Sequence, residues 1–402
     1  MKCDNCRACG SDDLFLVHDF GCQPLAGIYP RLPQSTEPAK RYPLDLSLCR
    51  QCGLLQVTNL PPIHEVFNSD YRYSSSTVPG LVRHFETYAN WLSHRIPAGG
   101  RVLEFGCNDG VLLERLAARG YQITGIDASD NMAQIARNKS LTVLTDFLTT
   151  EFVRRSGLQG QFDAITCSNV FAHIHDVRDT CAAVGMLLKR GGLFFIEVHD
   201  GDLLVRERQF DTVYHEHLSY FTEASLSSLL AREGFTVVEC VRTSMHGGGL
   251  RFCGRFDPGA SAASLQKGVP AIDSASLAKT IATCRAEIEQ LSSSFGPLHG
   301  YGAAGRAQMF VNMTGTAEYF TAVYDDSPFR QGRYLVGTNV PIVPWARESG
   351  RCCVILAWNY AEAIAHRIRP HFDRIVTLLP EYTDWSGAAQ SPNSGISGAS
   401  DV

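Results

Sequence analysis

The sequence lacks a strong excess of charge of either sign. Its 402 residues include 36 Lys and Arg against 41 Asp and Glu, which gives a formal net charge of −5. A chain with this balance has no broad positive field to attract a polyphosphate backbone. The composition therefore predicts no nucleic-acid partner.

Long apolar runs are also absent. No stretch reaches the roughly 18 apolar residues that a membrane-spanning helix needs, and the segment from Met1 to Cys6 has no apolar core of the kind found in signal peptides. We therefore expect a cytoplasmic protein with no membrane partner. At roughly 100–200 residues per domain, a chain of this length predicts two to four domains.

The C-x-x-C spacing of cysteines occurs only within the first 53 residues. Most of the 14 cysteines stand singly in apolar segments, but Cys6-Arg7-Ala8-Cys9-Gly10 and Cys49-Arg50-Gln51-Cys52-Gly53 form two matched C-x-x-C-G knuckles. Four thiolates close a tetrahedral site and leave no position for water, so Cys6, Cys9, Cys49 and Cys52 predict a structural zinc ion. Redox pairs are the alternative interpretation, Cys3 is a possible substitute ligand, and nucleic-acid binding by a zinc ribbon is a minor option.

A second pattern begins at about residue 100, where strands and helices alternate. Arg101–Phe105 reads as a buried strand that ends in the glycine turn Glu104-x-Gly106-x-x-x-Gly110, and the next strand closes on Asp127. In an open parallel sheet a ligand lies beyond these carboxyl ends, where an acid can bind ribose hydroxyls. The same outline suits NAD, but the turn is not G-x-G-x-x-G and looks like motif I of S-adenosylmethionine-dependent methyltransferases.

We assign the expected cofactor contacts by where each residue lies relative to the predicted strands. The methionine end is expected at the turn, the ribose at the second acid, the adenine after the third strand, and a further polar contact at the end of the fourth strand. The predicted cofactor residues are Glu104, Gly106, Asn108, Gly110, Asp127, Asp146 and Ser168. An exposed loop acid remains the alternative for Asp146.

The densest polar segment is Phe210–Phe221, which contains Tyr214-His215-Glu216-His217-Leu218-Ser219-Tyr220-Phe221. It lacks the H-E-x-x-H spacing that places two imidazoles on one helical face, so a catalytic metal is disfavoured. A histidine titrates near neutral pH, a neighbouring glutamate can hold its tautomer, and a tyrosine can donate to an oxyanion. Acid–base catalysis and a merely hydrogen-bonded loop are both compatible with these residue types.

Taken together, the ordered motifs resemble the sugar-nucleotide C-methyltransferases, typified by the 3-C-methyltransferases of dTDP-4-keto-deoxysugars in antibiotic pathways. The resemblance covers nearly the whole chain. It includes the cysteine knuckles, Tyr71–Ser76, the turn ending Asn108-Asp109-Gly110, the Tyr-His-Glu-His box, Gly247–Arg251, Gly300–Gly305 and Gln331–Ile342.

The resemblance implies an α/β enzyme of three parts: an N-terminal zinc-binding module, a Rossmann-like class I methyltransferase core and a second Rossmann-like domain. We place these at residues 1–70, 71–254 and 255–385, with a disordered tail at 386–402. It also implies S-adenosylmethionine, structural zinc and a nucleotide-sugar substrate, with dTDP as the expected nucleotide. The chain is expected to be a monomer or a weak homo-oligomer.

Site residues follow from the resemblance by motif. His217 is the expected base, and Tyr214, Glu216 and His173 complete the catalytic group. The expected substrate contacts are Tyr71, Tyr73, Ser75 and Arg251. A ring carbon becomes nucleophilic only when a proton α to a ketone leaves, so His217 would remove that proton while Tyr214 or His173 holds the enolate oxygen.

Other functions remain open on the residues alone. Gly300-x-Gly302-x-x-Gly305, with Asp325 about 20 residues further on, is formally a dinucleotide-binding pattern. The resembling family has the same turn without using nicotinamide, so we interpret it as part of the second Rossmann-like domain. An O- or N-methyltransferase of a related natural-product or sugar acceptor is the main alternative, and a non-catalytic zinc- and nucleotide-binding protein is the other.

Overall fold

The computed structural model describes residues 2–66, 75–77, 79–259, 268, 270 and 272–387. The chain divides into two compact units, residues 1–28 with 39–280 and residues 29–38 with 281–402. Tyr71 and Tyr73, two of the expected substrate contacts, lie outside the described residues, as does the expected tail beyond residue 387. The domain boundaries at 70, 254 and 385 stay predictions.

The first unit begins with a small antiparallel sheet. Its strands are β1 (Leu14–Pro24), β2 (Arg41–Cys49) and β3 (Leu55–Gln56). A fourth strand comes from far along the chain, since Ser219–Tyr220 pairs antiparallel with β3. The Tyr-His-Glu-His box therefore leads directly into the sheet of the zinc-binding module.

A seven-stranded sheet forms the rest of this unit. Its elements in chain order are α1 (Ile63–Val66), α2 (Pro79–Ser93), β4 (Arg101–Phe105), α3 (Val111–Ala118), β5 (Gln122–Asp127), α4 (Asp130–Asn138), β6 (Val143–Thr145), α5 (Thr150–Ser156), β7 (Phe162–Ser168), α6 (Val177–Leu187), β8 (Leu188–His199), α7 (Gly201–Arg206), β9 (Ser219–Tyr220, in the first sheet), α8 (Glu223–Arg232), β10 (Phe235–Thr243) and β11 (Gly249–Phe256).

The order of this sheet is β10-β11-β8-β7-β4-β5-β6, in which β8, β7, β4, β5 and β6 are parallel and β11 runs antiparallel to β8. Parallel strands are usually apolar and covered on both faces. The central strands here fit this rule, since Val102, Leu103, Ile165 and Ile196 are almost fully buried. The parallel strands end at one edge, so the residues that follow β4, β5 and β7 are brought together there.

The second unit is another α/β layer structure. Its elements are α9 (Ser274–Phe295, which crosses the boundary between the units), β12 (Leu298–Tyr301), α10 (Gly305–Thr314), β13 (Phe320–Tyr324), β14 (Arg333–Tyr334), β15 (Pro341–Val343), β16 (Gly350–Ile355), α11 (Ala361–Ile368), β17 (Phe372–Thr377) and β18 (Thr383–Asp384). The sheet order is β14-β15-β13-β12-β16-β17-β18, with the five central strands parallel.

Residues 29–38 belong to this second unit although they lie inside the N-terminal part of the sequence. The amide of Tyr334 donates to the carbonyl of Pro30 at 3.0 Å, and the amide of Gln34 donates to the carbonyl of Thr338 at 2.9 Å. The zinc-binding part of the chain thus contributes one segment to the C-terminal Rossmann-like unit.

The glycine turn after β12 is packed closely by the protein itself. Gly302 has φ +90°, and a Cβ built there would lie 2.4 Å from Cβ of Ala357. The acid at the end of β13, Asp325, accepts the amide of Ala303 at 2.7 Å and pairs with Arg330 at 3.1 Å. The acid that would bind ribose in a dinucleotide site is therefore held by the chain's own cation.

The predicted fold class is confirmed. The zinc module, the Rossmann-like core with one antiparallel strand, and the second Rossmann-like sheet are all present. None of the helices among the described residues is both long and apolar enough to cross a membrane.

Replacing Gly302 by Ala should destabilise the second unit by about 2–4 kcal/mol, because the new Cβ combines a left-handed backbone with a clash against Ala357. Gly332→Ala is the matched control: its φ is +73° but a Cβ there meets nothing within 4 Å, so only the backbone cost of about 1–2 kcal/mol is expected. Denaturant unfolding measures both, and equal losses would contradict the packing argument.

Candidate active site and metal centre

The four knuckle cysteines form one compact cluster. Their sulfur atoms all lie within 4.8 Å of one another, and the Sγ–Sγ distances of Cys6 to Cys52 and of Cys9 to Cys49 are both 3.5 Å. Zn–S bonds of about 2.3 Å in a tetrahedron place the sulfurs about 3.8 Å apart, so the cluster fits zinc. Cys3 is not part of it, and its thiol donates to the carbonyl of Asn5.

Each knuckle has the same backbone. The glycine that follows the second cysteine donates its amide to the carbonyl of the first cysteine at 2.8 Å, in Gly10 to Cys6 and in Gly53 to Cys49. Both glycines have φ +79°, a conformation that L residues rarely adopt. The C-x-x-C-G pattern is explained by this turn.

The turn after β4, here called the cofactor turn, contains three of the residues predicted to bind the cofactor. Gly106 and Gly110 have φ values of +65° and +79°, and an added Cβ would lie 2.5 Å from Val170 and 2.4 Å from Leu141. Asp127, at the end of β5, accepts the amides of Asn108 at 2.7 Å and Ser129 at 2.8 Å. The structure thus joins the glycine turn to the second acid, and the binding of the cofactor by these residues stays a prediction.

The buried carboxyl group of Glu104 indicates whether a cation such as S-adenosylmethionine fits at this turn. The side chain is buried, and its Oε2 has no hydrogen-bond partner among the described residues. Burial, followed by the charges of Asp127 and Asp109, raises the pKa of Glu104 well above its usual range. A positively charged ligand would relieve this excess of carboxylates, and S-adenosylmethionine has a sulfonium and an ammonium group.

Other predicted residues lie around the same edge. The amide of Ser75 donates to Oδ1 of Asn108 at 3.0 Å, which places an expected substrate contact directly on the cofactor turn. Asp146 follows β6 and forms an ion pair with Arg155. Ser168, at the end of β7, donates to Oε1 of Glu197 at 2.7 Å.

The box places Tyr214 and His217 in direct contact. The hydroxyl of Tyr214 lies 2.8 Å from Nε2 of His217, and Nδ1 of His217 lies 3.2 Å from the carbonyl of Thr212. A carbonyl only accepts, so Nδ1 carries the proton of the neutral ring and Nε2 is the basic nitrogen. Tyr214 then donates to that nitrogen.

His173 meets this pair from the loop after β7. Its ring centroid is 4.8 Å from that of His217, and its Nδ1 lies 2.6 Å from the carbonyl of Glu216. Burial lowers the pKa of His173. Val170, which begins this loop, also packs on Gly106, so one short segment runs from the cofactor turn to the catalytic box.

Glu216 has a different position from the one its neighbours in sequence suggested. Its Oε1 accepts the amide of Gly27 at 2.8 Å, and burial raises the pKa of its carboxyl group. The tautomer of His217 is held by the carbonyl of Thr212 instead. Glu216 therefore links the box to the N-terminal module.

Arg251, an expected substrate contact, lies in β11 and is buried. Its Nε donates to Oε2 of Glu197 at 2.5 Å, and its guanidinium lies 4.6 Å from the ring centroid of Tyr88. Nε2 of His84 is 2.6 Å from the other oxygen of Glu197. The role of Arg251 in binding substrate stays a prediction.

Sequence reasoning did not single out Glu197 or His84. Burial alone would raise the pKa of Glu197, but the bond from His84 and the charge of Arg251 outweigh it and lower the pKa to about 2. The signal for Glu197 was available, since one acid closes the apolar run Leu193–Ile196. His84, on the polar-looking helix α2, had no such signal.

Three family models match the chain. A zinc binding domain covers residues 6–67, a methyltransferase domain covers residues 83–240, and a C-methyltransferase C-terminal domain covers residues 274–379. The first two include the cysteine cluster and the cofactor turn described above. The fold and site thus define an S-adenosylmethionine-dependent methyltransferase.

Comparison with individual proteins narrows this class. The chain is 29% identical to C-methyltransferase NovU of Streptomyces niveus over 410 residues, which covers 94% of this chain and 96% of that protein. A ubiquinone biosynthesis O-methyltransferase of Xanthomonas axonopodis pv. citri is 38% identical over 103 residues, 25% of this chain and 43% of that one. The three domain matches and this similarity support an S-adenosylmethionine-dependent C-methyltransferase that combines a zinc-binding domain, a methyltransferase core and a C-methyltransferase C-terminal domain.

Loss of one knuckle cysteine should remove the metal. In Cys49→Ala we expect no bound zinc and a fall in unfolding temperature on the order of 10 °C, because the site loses one of its four ligands. Cys3→Ala is the control and should keep one zinc per chain. Metal analysis and thermal unfolding decide, and zinc retained in Cys49→Ala would contradict the ligand set.

Glu197→Gln should cost about 3–5 kcal/mol of unfolding free energy, because Arg251 would keep a buried charge without its partner. Glu239→Gln, which breaks the half-exposed pair with Arg95 at 2.7 Å, is the control and should cost about 0–1 kcal/mol.

The effect of Glu197 should also depend on pH. Its pKa in the folded chain, about 2, lies below the value of about 4.3 in an unfolded chain, so its stabilisation is complete above pH about 4.3 and is lost as the pH falls towards 2. Urea unfolding of both variants between pH 7 and 3 tests this, and a difference from wild type that does not shrink with falling pH would contradict it.

Proposed function

We propose that this C-methyltransferase methylates a nucleotide-linked 4-keto-deoxysugar at a carbon next to the ketone, with C-3 of a dTDP-sugar as the favoured position. The observation that supports this most is the meeting of Tyr214, His217 and His173, the last of which lies in the loop whose Val170 packs on Gly106. The resemblance of the ordered motifs to sugar-nucleotide C-methyltransferases supplies the substrate class. Of the expected substrate residues, Ser75 and Arg251 remain candidates on the described part of the chain.

Carbon methylation needs a base, and His217 is the proposed one. Its Nδ1 proton is donated to the carbonyl of Thr212, which leaves Nε2 to accept the carbon-bound proton of the substrate. The hydroxyl of Tyr214 lies 2.8 Å from Nε2 and donates to its single lone pair. The hydroxyl therefore has to turn away before Nε2 can take the carbon-bound proton, and it can then donate to the developing enolate oxygen.

Tyr214 is the better candidate for the oxyanion partner than His173. The Nδ1 proton of His173 is directed at the carbonyl of Glu216, and its lowered pKa favours a neutral ring. A neutral ring with its proton on Nδ1 presents only a lone pair at Nε2, which cannot donate to an oxyanion. We therefore assign the enolate to Tyr214 and a role in shaping the pocket to His173.

The cofactor residues hold the second reactant next to this group. Glu104, Asn108 and Asp127 would bind the methionine end and the ribose, and Gly106 and Gly110 allow the backbone to approach closely. S-adenosylmethionine supplies the methyl group when it is bound. Because the loop after β7 contacts both the glycine turn and the box, these residues can hold the two reactants at a reactive distance.

Proton exchange tests the base. A dTDP-4-keto-deoxysugar incubated in heavy water with enzyme and S-adenosylhomocysteine should exchange its α proton, as followed by NMR. His217→Asn should slow this exchange and lower kcat by about 10²–10⁴-fold, the scale of general base catalysis, with S-adenosylmethionine affinity unchanged by calorimetry.

The exposed His175, two residues after His173, provides the control. His175→Asn should keep both the exchange rate and kcat. Unchanged exchange in His217→Asn would remove His217 as the base, and no exchange by the wild-type enzyme with any 4-keto sugar of the panel would remove this substrate class.

A further inference from the structure

The two cysteine knuckles have the same sequence pattern but use their arginines differently. Each reads Cys-Arg-x-Cys-Gly, with Arg7 in the first and Arg50 in the second. Arg7 is only 8% exposed. Arg50 is exposed, and its guanidinium lies 3.8 Å from the carboxylate of Asp13. Of the two knuckle arginines, therefore, only Arg7 has its side chain buried in the protein.

The contacts of Arg7 lead to the catalytic box. Its Nη1 donates to the carbonyl of Val57 at 2.8 Å and to the carbonyl of Leu218 at 3.0 Å. Leu218 follows His217 directly, and its own amide donates to the carbonyl of Ala172 at 2.8 Å. The peptide groups of Leu218 are thus held between the zinc knuckle and the turn that carries His173.

Neighbouring residues of the box are held by the same module. Nε2 of His215 lies 3.1 Å from the carbonyl of Pro43, Glu216 accepts the amide of Gly27, and Ser219–Tyr220 pairs with β3. Arg7 differs from these contacts because it lies between the metal ligands Cys6 and Cys9. It is the direct route from the metal site to the main chain beside His217.

Charge favours this arrangement. Zinc with four thiolates has a net charge of −2, and a buried guanidinium is stable only beside a compensating negative charge. Cys3, Cys6 and Asp45 are the acidic groups near Arg7. Its Nε and Nη2 are buried without hydrogen-bond partners among the described residues, so a negative charge at the metal site would offset the cost of burying them.

We propose that Arg7 is a positioning residue for the methyl transfer, which couples the zinc knuckle to the main chain that carries His217. The expected effect of Arg7 on turnover rests on the proposed function, in which His217 is the base. The structural effect of Arg7, the ordering of the Leu218 peptide, is measured independently. Zinc in this enzyme then sets the geometry of the base as well as the stability of the N-terminal module.

The test compares Arg7→Met with Arg50→Met in the full-length, zinc-loaded enzyme. Arg7→Met should lower kcat by about 10–100-fold, the scale of one charge-assisted hydrogen bond, while KM, S-adenosylmethionine affinity and one zinc per chain are kept. Hydrogen exchange of the Val57 and Leu218 amides should become about 10-fold faster. Arg50→Met should match wild type in all of these, and wild-type kcat and exchange in Arg7→Met would overturn the proposal.

Arg7→Lys covers the case in which the methionine variant does not fold. It keeps the charge beside the metal but loses the planar fork, so it should fold, bind zinc and show a smaller loss of kcat with faster exchange at Leu218. Wild-type kcat and exchange in this variant, or loss of its zinc, would overturn the proposal. If His217→Asn kept full turnover while Arg7→Met still loosened Leu218, the coupling would stand and the assignment of the base would fall.

Discussion

The pairing of Ser219–Tyr220 with β3 is the interaction on which the candidate active site depends. This two-residue strand follows the Tyr-His-Glu-His box, and it fixes the box against β3, which begins just after the second zinc knuckle. Short edge strands are weak by themselves. The side-chain contacts of His215, Glu216 and Arg7 add the stability that two backbone pairs cannot supply. The N-terminal module is thus joined to the Tyr-His-Glu-His box by backbone and side-chain contacts, and under our proposal it positions the base.

Two buried glutamates near the ends of β4 and β8 have pKa shifts in opposite directions. Glu104 lacks a hydrogen-bond partner at Oε2 within the described structure and has a raised pKa, as expected for a carboxyl group that meets its cation in a ligand. Glu197 has its cation within the protein, and its pKa is low. On this basis Glu104 stays our proposed cofactor contact, whereas Glu197 has its partners within the protein.

The features that depend on neighbouring residues alone were predictable from the sequence. The knuckles follow from the spacing of cysteine and glycine, the cofactor turn from Gly106, Gly110 and Asp127, and the alternation of strands and helices from apolar runs. Long-range partners were not predictable in this way. Nothing near Glu216 indicates that its carboxylate meets Gly27, 189 residues away, and Arg7 and Arg50 cannot be told apart by their knuckles. That residues 29–38 belong to the C-terminal unit could not be predicted either, because tertiary packing and not local sequence determines it.

The position that a labelled methyl group takes on the sugar tests the proposed carbon methylation most directly. The purified enzyme, a panel of dTDP-4-keto-deoxysugars and S-adenosylmethionine with a ¹³C-methyl group would be incubated in heavy water and the products followed by NMR and mass spectrometry. We expect a ¹³C-methyl bonded to a carbon next to the ketone, with the original α proton lost. A label in a methoxy position, or a methyl gained by no sugar of the panel, would contradict it.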